Sequence, residues 1–105
     1  VKVILDRFQF ALYFSRSAIP WQPALNNGES IQMAHHHIGL YAYRAAYLSQ
    51  YAKLEASPLE SLESLEQLRA LWYGHRIHVA IACAKSFPGV DTFQDLEYVR
   101  SLCKL

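Results

Sequence analysis

The chain has 105 residues, of which 52% are hydrophobic, and ten basic and nine acidic side chains give it a formal net charge of +1. This length suffices for one domain, and the absence of a basic stripe argues against a nucleic-acid partner. The longest apolar runs, FALYF and VAIACA, fall well short of the roughly 20 residues that cross a bilayer, so no membrane partner is predicted. The chain begins at Val1 within an apolar alternation, which indicates a piece of a longer protein. Two cysteines, Cys83 and Cys103, form no disulfide framework, and this favours a reduced, cytoplasmic setting.

A β-hairpin is predicted at the start of the chain. Apolar residues alternate over residues 1–6 and again over residues 10–16. Because side chains alternate along a strand, one face of the second strand is expected to carry Phe10, Leu12, Phe14 and Arg16. Prolines, asparagines and a glycine over residues 17–30 then predict a loop.

Apolar spacing further along the chain predicts two more strands and three helices. In chain order these are a strand over 37–44, a short helix over 45–54, a long helix over 57–74, a strand buried on both faces over 75–84, a turn over 88–91 and a terminal helix over 92–103. Strands and helices alternate, so the predicted fold class is α/β.

Two of these helices carry clear start signals. Ser57 and Glu60 have the spacing of a capping box, with proline at the first helical position between them. Thr92 and Asp95 have the same spacing at the start of the terminal helix. Gly74 is expected to end the long helix, because glycine readily takes the left-handed conformation found there.

One acidic residue interrupts the apolar face of the long helix. At about 100° per residue, Glu66 falls between Leu59 and Leu62 at the predicted edge of the core. A desolvated carboxylate needs a partner. An ion pair with Arg69, three residues further on, would satisfy it, and a functional role is the alternative.

Three consecutive histidines raise the question of a metal site. On a strand His35 and His37 would share a face, and His36 would point the other way. Zinc usually needs three or four protein ligands, and no Cys-x-x-Cys or His-x-x-x-His spacing accompanies these residues. The pattern therefore favours a structural histidine over a zinc site.

Two further charged residues have both a structural and a functional interpretation. Arg16 ends a predicted strand and is either a solvated terminus or a clamp for a carboxylate or phosphate, which its planar fork matches. Asp91 precedes the terminal helix and is either a capping neighbour or a ligand for Mg²⁺, which typically takes one or two carboxylates together with substrate phosphates.

Several motifs occur together in this chain: YFSRSAIPW, HIGLYAYR, SPLESLESLEQLRALWYG and GVDTFQDLEYVR, in that order. Their combination resembles the 3-deoxy-manno-octulosonate cytidylyltransferase (CMP-KDO synthetase) family over almost the whole chain. The resemblance implies a glycosyltransferase-A-like nucleotidyltransferase fold, a mixed sheet with flanking helices. It also implies that residues 1–105 form the C-terminal portion of a single cytidylyltransferase domain, without the N-terminal nucleotide-binding half.

The resemblance also assigns roles to individual residues. Arg16 would hold the acidic sugar, and Asp91 would ligate Mg²⁺ and act in catalysis. The other expected substrate-binding residues are His37, Tyr41, Glu66 and Gln67. The chain departs from the family where Gln9 replaces a glycine that is usual in the hairpin turn.

The function implied by the resemblance is the joining of CTP and 3-deoxy-manno-octulosonate (KDO) to give CMP-KDO and pyrophosphate, for lipopolysaccharide biosynthesis. The family implies Mg²⁺ as cofactor and a cytoplasmic homodimer. The chain alone is expected to be inactive, because the family's nucleotide-binding loop lies outside it. Two alternatives stay open: a dimerising module without catalysis, and a related sialic-acid cytidylyltransferase, against which the LEQLR motif argues.

Overall fold

The computed structural model describes residues 1–23, 33–84 and 90–103. Within these ranges the regular elements are β1 (Lys2–Leu5), β2 (Ala11–Ser15), β3 (Ala34–His36), α1 (Ala45–Tyr51), α2 (Pro58–Glu63), α3 (Leu68–Trp72) and α4 (Phe93–Leu102). The three strands form one antiparallel sheet in the order β2–β1–β3. The predicted mixed α/β class is confirmed.

The predicted hairpin is present, and its turn is held by one carboxylate. Asp6 accepts hydrogen bonds from the backbone N–H groups of Phe8 (2.8 Å) and Phe10 (2.9 Å). Gln9, next to Phe10, has a left-handed φ of 68°, a conformation that usually favours glycine. The turn therefore keeps the geometry that glycine would give, with the Asp6 contacts supporting it.

A β-bulge changes the faces of β2. Leu5 pairs with Ala11 and Ile4 pairs with Tyr13, so Leu12 is an extra residue on one strand of the pair. As a result Ala11 and Phe14 are both buried, while 59% of Leu12 is exposed. The prediction that Leu12 shares the face of Phe14 was wrong, because strict alternation fails across a bulge.

The core lies between the sheet and the α2–α3 region. Its buried apolar members are Val3, Ala11, Phe14, Leu65 and Leu68. Leu68, at the start of α3, has no exposed surface. This packing brings the residues between α2 and α3 close to the end of β2.

Three predicted elements differ from the structure. The long helix over 57–74 is divided into α2 and α3, and residues 37–44 continue beyond β3 without regular structure. The strand predicted over 75–84 is reduced to an isolated bridge between His78 and Phe10. Backbone hydrogen bonds to Gln9 and Ala11 are made by Val79 and Ile77, and Ile81 beyond them is 57% exposed, so among the described residues this run is not buried on both faces.

The helix signals are confirmed. Both capping boxes are formed, at Ser57–Glu60 and at Thr92–Asp95, and Gly74 has a φ of +79° after α3. Residues 24–30 of the predicted loop and residues 88–89 of the predicted turn lie outside the described residues. Within the described ranges no helix is long and apolar enough to cross a bilayer. Both cysteines are unpaired and exposed.

Candidate functional site

A cavity of about 750 Å³ lies beside the sheet where β2, the α2–α3 region and the start of α4 meet. All six residues singled out in the sequence line it: Arg16, His37, Tyr41, Glu66, Gln67 and Asp91. The remaining lining residues are Gly39, Glu60, Ser61, Ser64 and Leu65. The lining is mostly polar, and these side chains can donate and accept hydrogen bonds to a hydroxyl-rich or charged ligand.

One wall of the cavity is a hydrogen-bonded pair of rings. The Tyr41 hydroxyl and His37 Nε2 lie 2.8 Å apart. The edge of the His37 ring also packs on Phe14, with the ring centroids 5.0 Å apart. Partial burial lowers the pKa of His37 and raises that of Tyr41, so both groups are neutral at pH 7. The pair can donate and accept hydrogen bonds without carrying charge.

The residues of this pair lie in the segment 37–44, where a strand was predicted but is not formed. The preceding strand β3 (Ala34–His36) ends before His37. The His37 backbone N–H still extends the pairing of β3 with the start of the chain by donating to Val1 O at 2.9 Å. Gly39, with φ +91°, turns the chain between His37 and Tyr41. Alternation along a strand therefore does not explain the shared position, but the two side chains do lie together.

Arg16 contributes to a second wall, and its guanidinium group is already engaged. Nε donates to Glu63 O at 2.7 Å, and Nη2 donates to Ser64 O at 3.0 Å. Both acceptors are carbonyls at the C-terminal end of α2. Direct contact of Arg16 with the carboxylate of an acidic sugar stays a prediction, because two of its three guanidinium nitrogens serve the protein itself.

Glu66 and Gln67 lie in the break between α2 and α3. Ser64 has left-handed dihedral angles (φ 54°, ψ 44°) and ends α2, at a cost of roughly 1–2 kcal/mol for a residue with a Cβ. Glu66 is exposed, whereas Gln67 is 5% exposed. No acceptor among the described residues contacts Gln67 Nε2. A buried amide nitrogen of this kind on a cavity wall is suited to donating to a bound ligand.

The two structural interpretations of Glu66 are corrected by this break. A single helical wheel does not apply across Ser64, and Leu62 is 82% exposed, so Glu66 does not border a core face formed by Leu62. Arg69 pairs with Glu60 instead, its Nε donating to Glu60 Oε2 at 2.9 Å. The Glu66 carboxylate is thus not the partner of Arg69.

Glu60, which also lines the cavity, combines two structural roles. Its carboxylate accepts from the Ser57 N–H in the capping box at 3.1 Å and forms the ion pair with Arg69. The hydrogen bonds from Arg69, supported by those from Ser57, lower the pKa of Glu60 to about 2. This charged pair fixes the relative positions of α2 and α3.

Asp91 reaches the cavity from the start of α4. It is exposed, and its backbone N–H donates to Asp95 Oδ2 at 3.2 Å, so the capping box at Thr92 also orients the preceding residue. No group of three or more His, Cys, Asp or Glu side chains in the described ranges is placed to hold a metal ion. A single exposed carboxylate still fits Mg²⁺, which takes one or two carboxylates and completes its shell with phosphates and water.

The family model described as cytidylyltransferase matches residues 1–77. The chain belongs to this family. The match includes β1 to α3, and with them five of the six cavity residues singled out above.

Similar proteins carry a more specific name. A 3-deoxy-manno-octulosonate cytidylyltransferase from Photobacterium profundum is 51% identical over 97% of this chain and 42% of the relative. A protein of that name from Coxiella burnetii is 48% identical over 95% of this chain and 42% of its own length. The Aliivibrio salmonicida protein is 49% identical over 100% of this chain and 43% of its own length. These identities confirm the family resemblance seen in the motifs.

The fold also matches a solved structure. That structure is CMP:2-keto-3-deoxy-manno-octonic acid synthetase complexed with CTP, and it superposes with a TM-score of 0.81 at 44% identity. The match covers 96% of this chain and 40% of the solved chain. This member of the cytidylyltransferase family therefore spans less than half the length of the relatives it matches.

Proposed function

We propose that this chain is the sugar-binding part of a longer cytidylyltransferase, called the parent enzyme below. The parent enzyme would join CTP and KDO to give CMP-KDO and pyrophosphate. The convergence of six side chains from separate segments on one polar cavity supports this proposal most directly. Relatives about half identical to this chain carry the corresponding name.

The side chains in the cavity suit a polyhydroxylated acid. The carboxylate of Glu66 would accept hydrogen bonds from sugar hydroxyls. The amide nitrogen of Gln67, which has no partner among the described residues, would donate one. The neutral His37–Tyr41 pair, which also lines the cavity, would contact further hydroxyls. Together these groups would hold the sugar so that its anomeric hydroxyl is oriented towards the nucleotide, which lowers the entropic part of the barrier.

Asp91 would hold Mg²⁺ together with phosphate oxygens of CTP. A bound Mg²⁺ ion neutralises charge on the triphosphate and polarises the oxygen that it contacts. The side chains of this chain would meanwhile bind and orient the sugar. The resemblance adds a cytoplasmic homodimer and a place in lipopolysaccharide synthesis to the proposal.

A substrate panel tests the proposal. The parent enzyme is incubated with CTP, Mg²⁺ and either KDO, a nine-carbon sialic acid or a neutral hexose, and pyrophosphate release is measured. KDO should be strongly preferred, and the 105-residue chain alone should release none. Preference for the sialic acid would assign the chain to the related enzymes, and inactivity of the parent with every sugar would favour a non-catalytic dimerising module.

A further inference from the structure

Four hydrogen bonds join the end of β2 to the end of α2, and we call this set the β2–α2 clasp. The Glu63 carboxylate accepts from the Ser15 hydroxyl at 2.7 Å and from the Arg16 backbone N–H at 2.9 Å. The Arg16 guanidinium also donates, to the carbonyls of Glu63 and Ser64 at 2.7 and 3.0 Å. The clasp therefore uses both the side chain and the backbone of Glu63.

Ser15 anchors the clasp in the core. It is 1% exposed, and its hydroxyl oxygen also accepts from the Ser17 N–H at 3.0 Å. The hydrogen bonds from Arg16 N–H and from the Ser15 hydroxyl lower the pKa of Glu63, so this carboxylate stays ionised at neutral pH. A charged acceptor strengthens both bonds.

The clasp holds the chain in an unfavourable backbone conformation. Ser64 follows Glu63 directly and has a φ of 54°. A residue with a Cβ keeps such a conformation only where its surroundings impose it. Here the surroundings are the local bond from the Leu65 N–H to Glu60 O at 3.2 Å, the Arg16 fork on the two carbonyls and the hydrogen bonds of the Glu63 carboxylate to β2.

The turn at Ser64 decides where the next side chains point. It ends α2, so that Glu66 and Gln67 face the cavity before α3 begins at Leu68. The described contacts of Gln67 give its Nε2 no acceptor that could hold it there. The backbone between Glu63 and Gln67 must therefore fix the position of that amide.

We infer that Glu63 is a positioning residue for the sugar side of the cavity. Through the β2–α2 clasp it holds the left-handed turn at Ser64 and so presents Gln67 and Glu66 to the ligand. It does not itself line the cavity. The inference rests on the proposed function for the identity of the ligand. The effect of the clasp on the backbone is independent of the proposed function.

Three variants of the parent enzyme test the inference. Glu63→Ala removes the two carboxylate acceptors of the clasp and leaves the Arg16 bonds to the Glu63 and Ser64 carbonyls available. Glu63→Gln can still accept from the Arg16 N–H with its oxygen and donate to the Ser15 hydroxyl with its nitrogen, because a hydroxyl both donates and accepts. Glu97→Gln is the matched control, because Glu97 lies on α4 in an exposed pair with Arg100.

Steady-state kinetics separate positioning from simple loss of stability. Glu63→Ala should raise the KM for the acidic sugar roughly tenfold or more, as expected when hydrogen bonds to a charged or buried group are lost. The KM for CTP should stay unchanged, Glu63→Gln should recover most of the loss, and Glu97→Gln should match the wild type. A lower melting temperature with both KM values unchanged would overturn the inference. If Glu63→Ala does not fold, Ser15→Ala, which removes one donor of the clasp, should raise the KM for the acidic sugar by a smaller factor and leave the KM for CTP unchanged.

A crystal structure of Glu63→Ala provides a test independent of activity. Ser64 should leave the left-handed region, and the Gln67 amide should move off the cavity wall. An unchanged backbone over residues 63–67 would refute the positioning role. If the wild-type parent releases no pyrophosphate with any sugar, the proposed function fails, and this structural comparison still decides the role of Glu63.

Discussion

The capping boxes of α2 and α4 have the same sequence motif but very different surroundings. Ser57 is 2% exposed, and its partner Glu60 also forms an ion pair with Arg69. Thr92 is exposed, and its partner Asp95 contacts only the start of α4 in the described hydrogen bonds. The motif predicts where a helix begins, but the neighbours of the box determine how much stability it supplies.

The same difference extends to the helices themselves. α3 and Leu65 just before it lie against the sheet, with Leu65 and Leu68 buried beside Phe14, whereas α4 has no buried residue. Both regions contribute to the cavity, the first through Glu66 and Gln67 and the second through Asp91. We therefore expect substitutions of the buried residues Leu65 and Leu68 to act mainly on stability, and substitutions of the exposed cavity residues Glu66 and Asp91 mainly on function.

The largest expected effect is a loss of stability from a substitution in the core beside α3. Leu68→Ala should lower the free energy of unfolding by about 2–5 kcal/mol, because it leaves a cavity where the side chain is fully buried. Leu62→Ala is the control, since Leu62 is 82% exposed and should change stability by less than about 0.5 kcal/mol. Urea unfolding measures both, and equal effects would contradict the assigned core.

The next largest effect is a loss of catalytic rate from a substitution at the exposed start of α4. In the parent enzyme Asp91→Asn should reduce kcat on the order of 100-fold, because an amide is a poor ligand for Mg²⁺ and several kcal/mol of charge stabilisation depend on the ion. The melting temperature should hardly change, as Asp91 is exposed. Wild-type rates across a range of Mg²⁺ concentrations would show that Asp91 only precedes the cap of α4.

The ion pair between Glu60 and Arg69 predicts that the stability of the protein depends on pH. The pKa of Glu60 is about 2 in the folded protein against an ordinary 4.5, so its stabilisation is complete above pH 4.5 and is lost as the pH falls towards 2. Glu60→Gln keeps a capping-box side chain but loses the charge, and should cost about 1.5–3 kcal/mol at neutral pH. Urea unfolding of both proteins at several pH values should show this difference shrinking below pH 4.5, and a pH-independent difference would refute the ion-pair account.

The smallest expected changes in the free energy of unfolding come from removing the N-cap hydroxyls of Ser57 and Thr92. Ser57→Ala should cost about 1–2 kcal/mol, near the upper end for a cap, because its hydroxyl is buried in a network. Thr92→Ala should cost about 0.5–1 kcal/mol, because water can replace the lost bond at an exposed helix start. Thermal unfolding measures both changes, and a larger loss for Thr92→Ala would reverse the ranking of the two boxes.

Local features of this fold could be predicted from sequence because neighbouring residues determine them. The hairpin depends on Asp6 and the residues just after it, and each cap depends on a pair three residues apart. The break at Ser64 could not be predicted in this way. Besides the local bond from the Leu65 N–H to Glu60 O, it involves Arg16, which lies 48 residues earlier and donates to the Ser64 carbonyl.

The candidate site was predicted by a different route. The six cavity residues were named from the combination of motifs, and the structure places them together without testing the role of each. Physical reasoning alone misplaced Glu66, because it assumed one helix across residues 57–74. It also missed Glu63, whose polar position on that assumed helix gave no sign of the contacts with Ser15 and Arg16.

The measurement that tests the sugar-binding account most directly is the effect of Glu66→Gln on the parent enzyme. The substitution keeps the shape of the side chain but replaces charged acceptors by a neutral amide. Hydrogen bonds to a charged group contribute roughly 1.5–3 kcal/mol, so kcat/KM for KDO should fall about 10- to 150-fold. The KM for CTP and the melting temperature should stay unchanged, because Glu66 is exposed and does not pair with Arg69. An unchanged kcat/KM for KDO with a lowered melting temperature would contradict the account and return Glu66 to a structural role.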